Sequence, residues 1–162
     1  MPSCAGMEDI RVRAACGADL DVLVEFNLAL AQETEDHALD PEHLRAGVLR
    51  ALRDPTRGRY TVAEVGGAAV GSLLVTREWS DWRDRWFWWI QSVYVLPGHR
   101  RRGVYSALHR SVVEAARAAG DVCGVRLYVE TENRAAQTTY ERLGMRRARY
   151  HMYELAIDPE RA

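Results

Sequence analysis

The run WFWWIQSVYV, residues 86–95, constrains the fold of this chain more than any other segment. It consists mainly of aromatic and β-branched residues, which favour extended strands, and it is apolar on both faces. A strand with two apolar faces needs cover on both sides, so it predicts a central position in a sheet that helices flank. Pro97 and Gly98 end this strand, and an apolar stripe then predicts a helix over about residues 104–119.

The patterns along the rest of the chain predict a mixed α/β domain. Alternating apolar and charged residues in DIRVRAA indicate a first strand, and Gly66-Gly67 between two apolar runs indicates a hairpin. Asp40-Pro41 has the residue types of a helix start, a capping side chain followed by proline. The predicted order is βααβββαβαβ, with a last strand at RRARYHMYEL. The first half is antiparallel, and a helical crossover then implies parallel pairing or at least a right-handed return to the sheet.

Length, charge and cysteine content exclude several classes of protein. A chain of 162 residues suits one domain, residues 1–162, and a net charge of −1 gives no reason to expect a nucleic acid or an anionic membrane as partner. The three cysteines lack the spacing of a disulfide framework or a zinc site, so no metal is predicted. No apolar run suits a membrane span and the N-terminus lacks a signal-peptide pattern, which predicts a cytoplasmic protein.

The segment HRRRG, residues 99–103, places three arginines directly before a predicted helix. Cations there oppose the positive end of the helix dipole, unless an anion binds to the N–H groups that the first helical turn leaves without partners. Gly103 allows the backbone to approach such a ligand closely. The order of strand, Pro-Gly turn, arginines, glycine and helix therefore favours a site for a pyrophosphate-like group over a solvated basic turn.

Two segments together resemble the signatures of the GNAT acyltransferase family. VYVLPGHRRRGVYSAL resembles the acyl-CoA pattern of a strand, Gln/Arg-x-x-Gly-x-Gly/Ala and a helix, with Tyr105 departing at the last position. LYVETENRAAQTTYERLGM resembles the second signature, which combines a strand, an Asn, small residues, a Tyr and a Leu-Gly ending. The two lie in the family's order and spacing, and the resemblance spans residues 9–155.

The resemblance implies a GNAT-type α/β (α+β) fold. Its central sheet is mixed but mostly antiparallel, helices flank it, and the fourth and fifth strands splay apart. The C-terminal end of this chain is short for the family, since only one strand is expected after Gly144. The last strand of the family is therefore fused, missing or supplied by a partner subunit in this chain. A homodimer is accordingly one of the alternatives for its oligomeric state.

The resemblance also implies a cofactor, acetyl-CoA or another short acyl-CoA. In the family, loop amides hold the pyrophosphate, backbone at the end of the fourth strand binds the pantetheine arm, and an N–H there polarises the thioester carbonyl. The side chain matching Asn133 contacts the pantetheine, and the hydroxyl matching Tyr140 protonates the leaving thiolate. The cofactor-binding residues implied in this way are Val93, Tyr94, Val95, Arg100, Arg101, Arg102, Gly103, Val104, Tyr105, Ser106, Asn133 and Tyr140.

A protonated amine has to lose a proton before it attacks a thioester, and carboxylates near the splayed strands are candidates for the base. Glu130, at the end of the predicted fifth strand, is the catalytic candidate beside Tyr140. A chain of waters without a single base is the alternative. The other carboxylates that the sequence places in this region are Glu33, Glu35, Glu78 and Asp81.

The acceptor pocket is sought among aromatic and polar residues near the same strands. Trp79 and Trp82 lie in the polar loop EWSDWR, where folding alone does not require large aromatic side chains. They predict either a pocket in which aromatic faces attract an amine, or packing on a helix or in a dimer. Gln91, a polar residue in an apolar strand, either bonds inside the core or faces the cleft. These three and Glu33 are the candidate substrate-binding residues.

The predicted function is acetyl-CoA-dependent N-acetyl transfer to a primary amine of a small molecule or peptide, by direct attack in a ternary complex. A catalytically silent acyl-CoA-binding sensor or regulatory module is the alternative, and an oligomeric scaffold without a ligand is a weaker one. Tyr105 is the main support for the sensor, because a ring that filled the phosphate site would exclude CoA. We expect instead that the Tyr105 amide points into the site while its ring leaves toward the core or along the cofactor.

Overall fold

The computed structural model describes residues 9–34 and 39–157. Contacts divide the chain into two compact units, Met1–Tyr128 and Val129–Ala162. The single domain predicted over residues 1–162 stays a prediction. The first unit contains β1 (Ile10–Ala14), a 3₁₀ turn (Gly17–Asp19), α1 (Leu20–Thr34), α2 (Pro41–Arg53), β2 (Arg59–Val65), β3 (Ala68–Ser80), β4 (Arg85–Val95), a 3₁₀ turn (Pro97–His99), α3 (Val104–Ala119) and β5 (Val122–Arg126), and the second unit contains α4 (Arg134–Arg142).

The five strands of the first unit form one sheet in the order β1-β2-β3-β4-β5. The first three pairs of neighbours are antiparallel, and β4 pairs with β5 in parallel. Because α3 connects these two parallel strands, the predicted helical crossover is confirmed. β4 has a strand on either side, as the apolar run over residues 86–95 predicted.

Helices cover both faces of this sheet and create two apolar clusters. Leu108 of α3 packs in one cluster with Ile90 of β4, and Leu23 of α1 packs in the other with Val62 of β2. Val62 and its neighbour Ala63 belong to different clusters, since successive residues of a strand point to opposite faces. The sheet is therefore the middle layer of a three-layer α/β unit, which is the predicted fold class.

β4 is longer than β5 and extends past it. Their pairing begins at Trp86 with Val122 and ends at Trp89 with Arg126, whereas β4 continues to Val95. The C-terminal part of β4 therefore extends past the last position at which β5 pairs with it. The pairing of β4 and β5 thus ends where the resemblance implies that the two strands part.

A β-bulge lies in the part of β4 that extends past β5. Gln91 pairs with Leu74 and Tyr94 pairs with Ser72, so two residues of β4, Ser92 and Val93, face a single residue of β3. Ser92 has a φ of +49°, in the left-handed region that non-glycine residues rarely adopt. Bulges of this kind change the direction in which the following groups point, and they are common beside active sites.

The predicted last strand, RRARYHMYEL over residues 146–155, is wrong. In the described residues of the second unit, no strand follows α4. Alternating apolar residues indicate a strand only where a second strand pairs with them, and the described part of this unit contains none. The large apolar side chains of the segment, including Tyr153 and Leu155, are exposed.

Candidate functional site

The N-terminus of α3 has the geometry of an anion site. Gly103 is the residue before the helix, with a φ of +88° and no side chain that caps the first turn. The Ala107 N–H donates to the Gly103 carbonyl at 2.9 Å and begins the hydrogen-bond pattern of the helix. The amides of Val104, Tyr105 and Ser106 precede that bond and belong to the turn whose N–H groups have no intrahelical acceptors.

The loop before α3 is fixed by short turns. Leu96 accepts a hydrogen bond from the His99 N–H at 2.8 Å, and Pro97 accepts one from the Arg100 N–H at 3.3 Å. Arg101, like Gly103, has a positive φ, of +61°. Arg100, directly before it, is extended, with a φ of −68° and a ψ of 151°. The two left-handed residues therefore set the path of the backbone into α3, and the phosphate site stays a prediction.

The arginines of this loop differ in their surroundings. Arg101 and Arg102 are exposed. The Arg100 guanidinium is engaged away from α3, because its Nη2 lies 2.6 Å from Glu33 Oε2 and its Nε donates to the Val95 carbonyl at 2.9 Å. The structure thus brings together Glu33 and Arg100, two residues that the sequence assigned to different roles.

The Tyr105 ring packs along α3. Its centroid lies 5.9 Å from that of the His109 ring, one helical turn further on, and its hydroxyl oxygen is buried. The Tyr105 side chain is half-buried. The ring therefore lies along the helix with its hydroxyl buried, which corresponds to the core-facing direction of the two expected, and its amide stays in the first turn.

The end of β4 combines the bulge with close packing against α3. A Cβ on Gly71, the residue of β3 that pairs with Val95, would lie 2.9 Å from the Tyr94 carbonyl and 3.1 Å from Val104 Cγ1. Glycine at this position therefore lets β4 and the first residue of α3 approach. The predicted pantetheine-binding backbone, residues 93–95, begins within the bulge and ends beside this contact.

Polar and aromatic side chains meet at the last paired position of β4 and β5. Glu78 accepts hydrogen bonds from Trp89 Nε1 at 2.6 Å and from Arg126 Nη1 at 3.0 Å. The Trp89 ring packs on Tyr128, with centroids 5.0 Å apart. Sequence reasoning missed Arg126 and Tyr128 as parts of this cluster. Their alternation along the predicted fifth strand was the available signal, although the strand itself ends at Arg126 and its register with β4 was not readable from the sequence.

The predicted acceptor residues differ in their contacts and exposure. Gln91 donates to Thr76 Oγ1 at 2.6 Å and is half-buried, so it has the internal hydrogen bond that one of its two interpretations required. Trp79 packs edge-on against Trp86 at 4.9 Å, whereas Trp82 is 88% exposed.

Two of the candidate bases remain to be placed. Asp81 accepts a hydrogen bond from the Trp82 N–H at 2.9 Å. The candidate base Glu35 lies outside the described residues.

The second unit holds the other predicted catalytic and cofactor residues. Asn133 caps α4, because its Oδ1 accepts a hydrogen bond from the Ala136 N–H at 3.1 Å. Gln137 donates to the Glu130 carbonyl at 3.0 Å and so fixes the chain before the helix, while Glu130 itself is exposed. Tyr140 is half-buried two turns into α4, and burial raises the pKa of its phenol.

Some properties of the described ranges bear on other classes of site. No helix within residues 9–34 and 39–157 has the length and apolarity that a membrane crossing requires. In the same part of the chain, His, Cys, Asp and Glu side chains do not group in threes as metal ligands do.

Two parallel strands, β4 and β5, joined by a glycine-preceded helix belong here to an acyltransferase. The model of the acetyltransferase (GNAT) family matches residues 23–145, and the chain belongs to this family. Curated proteins give no match to this chain.

Solved structures support the same assignment. A possible acetyltransferase from Clostridium difficile 630 is 42% identical, with a TM-score of 0.85 over 91% of this chain and 97% of that chain. A structure described as a probable acetyltransferase has a TM-score of 0.81 at 22% identity, covering 91% of this chain and 98% of its own. A GCN5-related N-acetyltransferase from Ralstonia eutropha JMP134 has a TM-score of 0.72 at 23% identity, covering 90% and 98%. The last two, at their low identities, show the fold alone.

Proposed function

We propose that this acyltransferase moves an acetyl group from acetyl-CoA to a primary amine of a small molecule or peptide, by direct attack in a ternary complex. The observation that carries the proposal is the first turn of α3, which Gly103 precedes without a capping side chain, beside the part of β4 that extends past β5. Such a helix N-terminus favours a negatively charged group. Bound acetyl-CoA, or another short acyl-CoA, supplies a thioester whose carbonyl carbon the amine attacks.

The backbone of the first unit is proposed to bind the cofactor at two places. The amides of residues 101–106 hold the pyrophosphate, and the exposed guanidinium groups of Arg101 and Arg102 add positive charge. The backbone of residues 93–95 binds the pantetheine arm, and an N–H at the bulge polarises the thioester carbonyl. Asn133 is proposed to contact the pantetheine through its side-chain NH₂, since its Oδ1 already caps α4.

Tyr140 is the proposed proton donor for the leaving thiolate. Burial raises its pKa above the usual value, so its phenol is protonated at neutral pH and can act as an acid. Thiols and phenols both have high pKa values, so the transfer is not badly mismatched. Glu130 is the proposed base because its carboxylate is exposed. The Glu33 and Glu78 carboxylates, in contrast, each form an ion pair with an arginine. A chain of waters is the alternative to Glu130.

We propose that the acceptor binds on the face of β4 that carries Trp89 and Gln91. Glu78 and Arg126 neutralise each other there, and the Trp89 and Tyr128 rings offer an apolar wall. Aromatic faces attract ammonium groups, which suits a primary amine. Two further acceptor residues, Glu33 and Trp82, stay predictions. Because Trp79 packs on Trp86, only the exposed edge of the Trp79 ring is available to an acceptor.

The alternative of a catalytically silent acyl-CoA sensor has lost its main support. That support was a Tyr105 ring in the phosphate site, and the ring packs on His109. The scaffold without a ligand has no specific observation in its favour. The cytoplasmic location and the homodimer stay predictions, and neither a nucleic acid nor a membrane is proposed as partner.

Two measurements test the proposed function. Thermal unfolding with CoA or acetyl-CoA should show a higher Tm, because a ligand at about a hundredfold excess over its Kd stabilises the folded state by about 2.7 kcal/mol. Release of free thiol from acetyl-CoA should then occur with some members of a panel of primary amines, and not with the matching alcohols. An unchanged Tm at millimolar cofactor, or a higher Tm without thiol release from any amine, would contradict the proposal.

A further inference from the structure

Three elements of the first unit meet at the Arg100 side chain. Glu33 lies one residue before the end of α1, Tyr94 lies one residue before the end of β4, and Arg100 directly follows the 3₁₀ turn at residues 97–99. Arg100 Nη2 is 2.6 Å from Glu33 Oε2, and the guanidinium carbon lies 5.6 Å from the centroid of the Tyr94 ring. The contact joins residues that are 67 positions apart in sequence, so it is a tertiary contact between α1 and the loop before α3.

The same guanidinium group closes the start of the loop. Arg100 Nε donates to the Val95 carbonyl at 2.9 Å, at the last residue of β4. Because a guanidinium is planar and rigid, two hydrogen bonds from different nitrogens fix both its position and its plane. The chain from Val95 to Arg100 is thereby held as a closed loop, and Arg101, with its positive φ, follows directly.

Glu33 is itself held from the other side. The Tyr94 hydroxyl donates to Glu33 Oε1 at 3.3 Å, so each carboxylate oxygen has its own partner. Tyr94 is buried, and its ring packs on Phe26 of α1 at 5.2 Å. Burial, together with the negative charge of Glu33, raises the pKa of Tyr94, which keeps the hydroxyl protonated as a donor. The carboxylate is therefore a fixed point for Arg100.

A role in folding stability does not account for this arrangement. The side chains of Arg100 and Glu33 are both partly exposed, and ion pairs of that kind contribute little to stability. The ion pair lies at the start of the loop between β4 and α3, which indicates that it holds the backbone of this loop in one conformation. Sites that bind through backbone groups depend on the residues that hold this backbone in place.

We propose that Glu33 is a positioning residue for the cofactor loop. It orients Arg100, and Arg100 holds the backbone of residues 96–103 in the shape that directs the first-turn amides of α3 toward the pyrophosphate. Arg100 is then a brace of the loop, and Arg101 and Arg102 supply the charge that faces the phosphates. This inference rests on the proposed function, because it needs CoA as the ligand of the loop.

The first test measures the Kd of CoA by calorimetry for three variants. Glu33→Ala should weaken CoA binding about tenfold, a size typical of coupling between a site and a group that positions it. Glu33→Gln should be intermediate, because its amide oxygen still accepts a bond from Arg100 but carries no charge. Glu25→Ala, which removes an exposed carboxylate from the same helix, should bind as wild type does.

A second test distinguishes whether Arg100 supports the loop backbone or binds a phosphate directly. If Arg100 acts through the loop, Arg100→Ala should weaken CoA binding without changing its salt dependence, whereas Arg101→Ala should reduce that dependence. The double variant of Glu33→Ala and Arg100→Ala should bind CoA about as weakly as either single variant, since both act on one element. Tighter CoA binding by Glu33→Ala would show Arg100 to be a phosphate ligand that Glu33 withholds, and would overturn the inference.

The remaining outcomes are also decisive. A lower kcat with an unchanged Kd for CoA would make Glu33 a base or an acceptor residue, and wild-type values for both would make the ion pair irrelevant to the loop. If the wild-type protein itself does not bind CoA, the proposed function fails. Amide hydrogen exchange of residues 96–103 without CoA then still tests the brace. Faster exchange in Glu33→Ala than in Glu25→Ala supports it, and equal exchange overturns it.

Discussion

The Tyr105 ring lies against the His109 ring, with centroids 5.9 Å apart and planes inclined by 48°. Both residues belong to α3 and are four positions apart, so their side chains share one face of the helix. Burial lowers the pKa of His109, which keeps its imidazole neutral near pH 7. A side chain that departs from the family pattern is thus accommodated by packing on the helix, and the amide of the same residue stays in the first turn.

We expect Tyr105→Ala to lower stability and to leave CoA binding nearly unchanged. Removal of a half-buried aromatic ring should reduce the free energy of unfolding by about 1–3 kcal/mol. The amide that would face the phosphates is present with either side chain, so the Kd of CoA should change by less than about threefold. Urea unfolding and calorimetry check the two parts. A clear gain in CoA affinity in Tyr105→Ala would mean that the ring obstructs the site.

Gly103→Ala should weaken both the fold and CoA binding. Gly103 has a φ of +88°, and an alanine in the left-handed region costs about 1–2 kcal/mol. The surrounding space does not oppose a methyl group, because the nearest atom to its Cβ would be Ile10 Cδ1 at 4.0 Å. The loss of stability is therefore due to backbone strain at residue 103. If the backbone shifts to relieve this strain, the amides that follow should move. We expect the Kd of CoA to rise about tenfold, measured by calorimetry.

Gly98→Ala is the matched control for that prediction. Gly98 lies in the same loop, without a positive φ, and beyond its two chain neighbours no heavy atom lies within 4 Å of an added Cβ. This variant should unfold at the Tm of wild type or slightly above it and should bind CoA equally well. If Gly98→Ala and Gly103→Ala bind CoA alike, the conformation of Gly103 has no part in the site.

Tyr140→Phe should slow catalysis and leave CoA binding intact. Loss of a general acid lowers kcat by about a hundredfold or more, and the ring that packs in the protein is retained. Because burial raises the pKa of Tyr140, its ionisation should not reduce the wild-type rate up to about pH 9. Thiol release at saturating substrates measures kcat, and Tyr150→Phe, at a tyrosine that is 84% exposed, is the control. An unchanged kcat in Tyr140→Phe would remove this residue from the mechanism.

The parts of the site that the sequence predicted are local ones. The apolar run of β4, the Pro97-Gly98 stop and Gly103 before α3 are consecutive in the chain, so their residue types specify the strand, the turn and the helix directly. The same holds for Asn133, whose side chain caps the helix that follows it.

The parts that the sequence did not predict depend on contacts between distant residues. Glu33 and Arg100 carry no local pattern that pairs them. The partner of Arg126, Glu78, lies two strands away on β3, so this contact depends on the registers of both β3 with β4 and β4 with β5. Residues 146–155 show the opposite case, because a local pattern suited to a strand lacks the pairing that makes one. Alternation indicates what a segment is able to form, while pairing decides whether it forms.

A cluster of ion pairs joins β1 to the turn before α1. Arg13 donates to both carboxylate oxygens of Asp19 at 2.8 Å, and its Nε donates to Glu64 at 2.7 Å. Asp19 is 5% exposed and also accepts a hydrogen bond from the Cys16 N–H at 2.7 Å. The bonds from Arg13, and then the bond from Cys16, lower the pKa of Asp19 to about 2. The cluster therefore makes the stability of the first unit depend on pH in the acidic range.

We expect Asp19 to contribute about 2 kcal/mol that is present above about pH 4 and is lost as the pH falls toward 2, because its pKa is lower in the folded than in the unfolded chain. Asp19→Asn should be less stable than wild type near pH 7, and the difference should narrow on acidification. Asp21→Asn, at an exposed carboxylate paired with Arg45, should change stability little. Urea unfolding across this pH range checks both variants, and a difference between Asp19→Asn and wild type that stays constant with pH would refute the assignment.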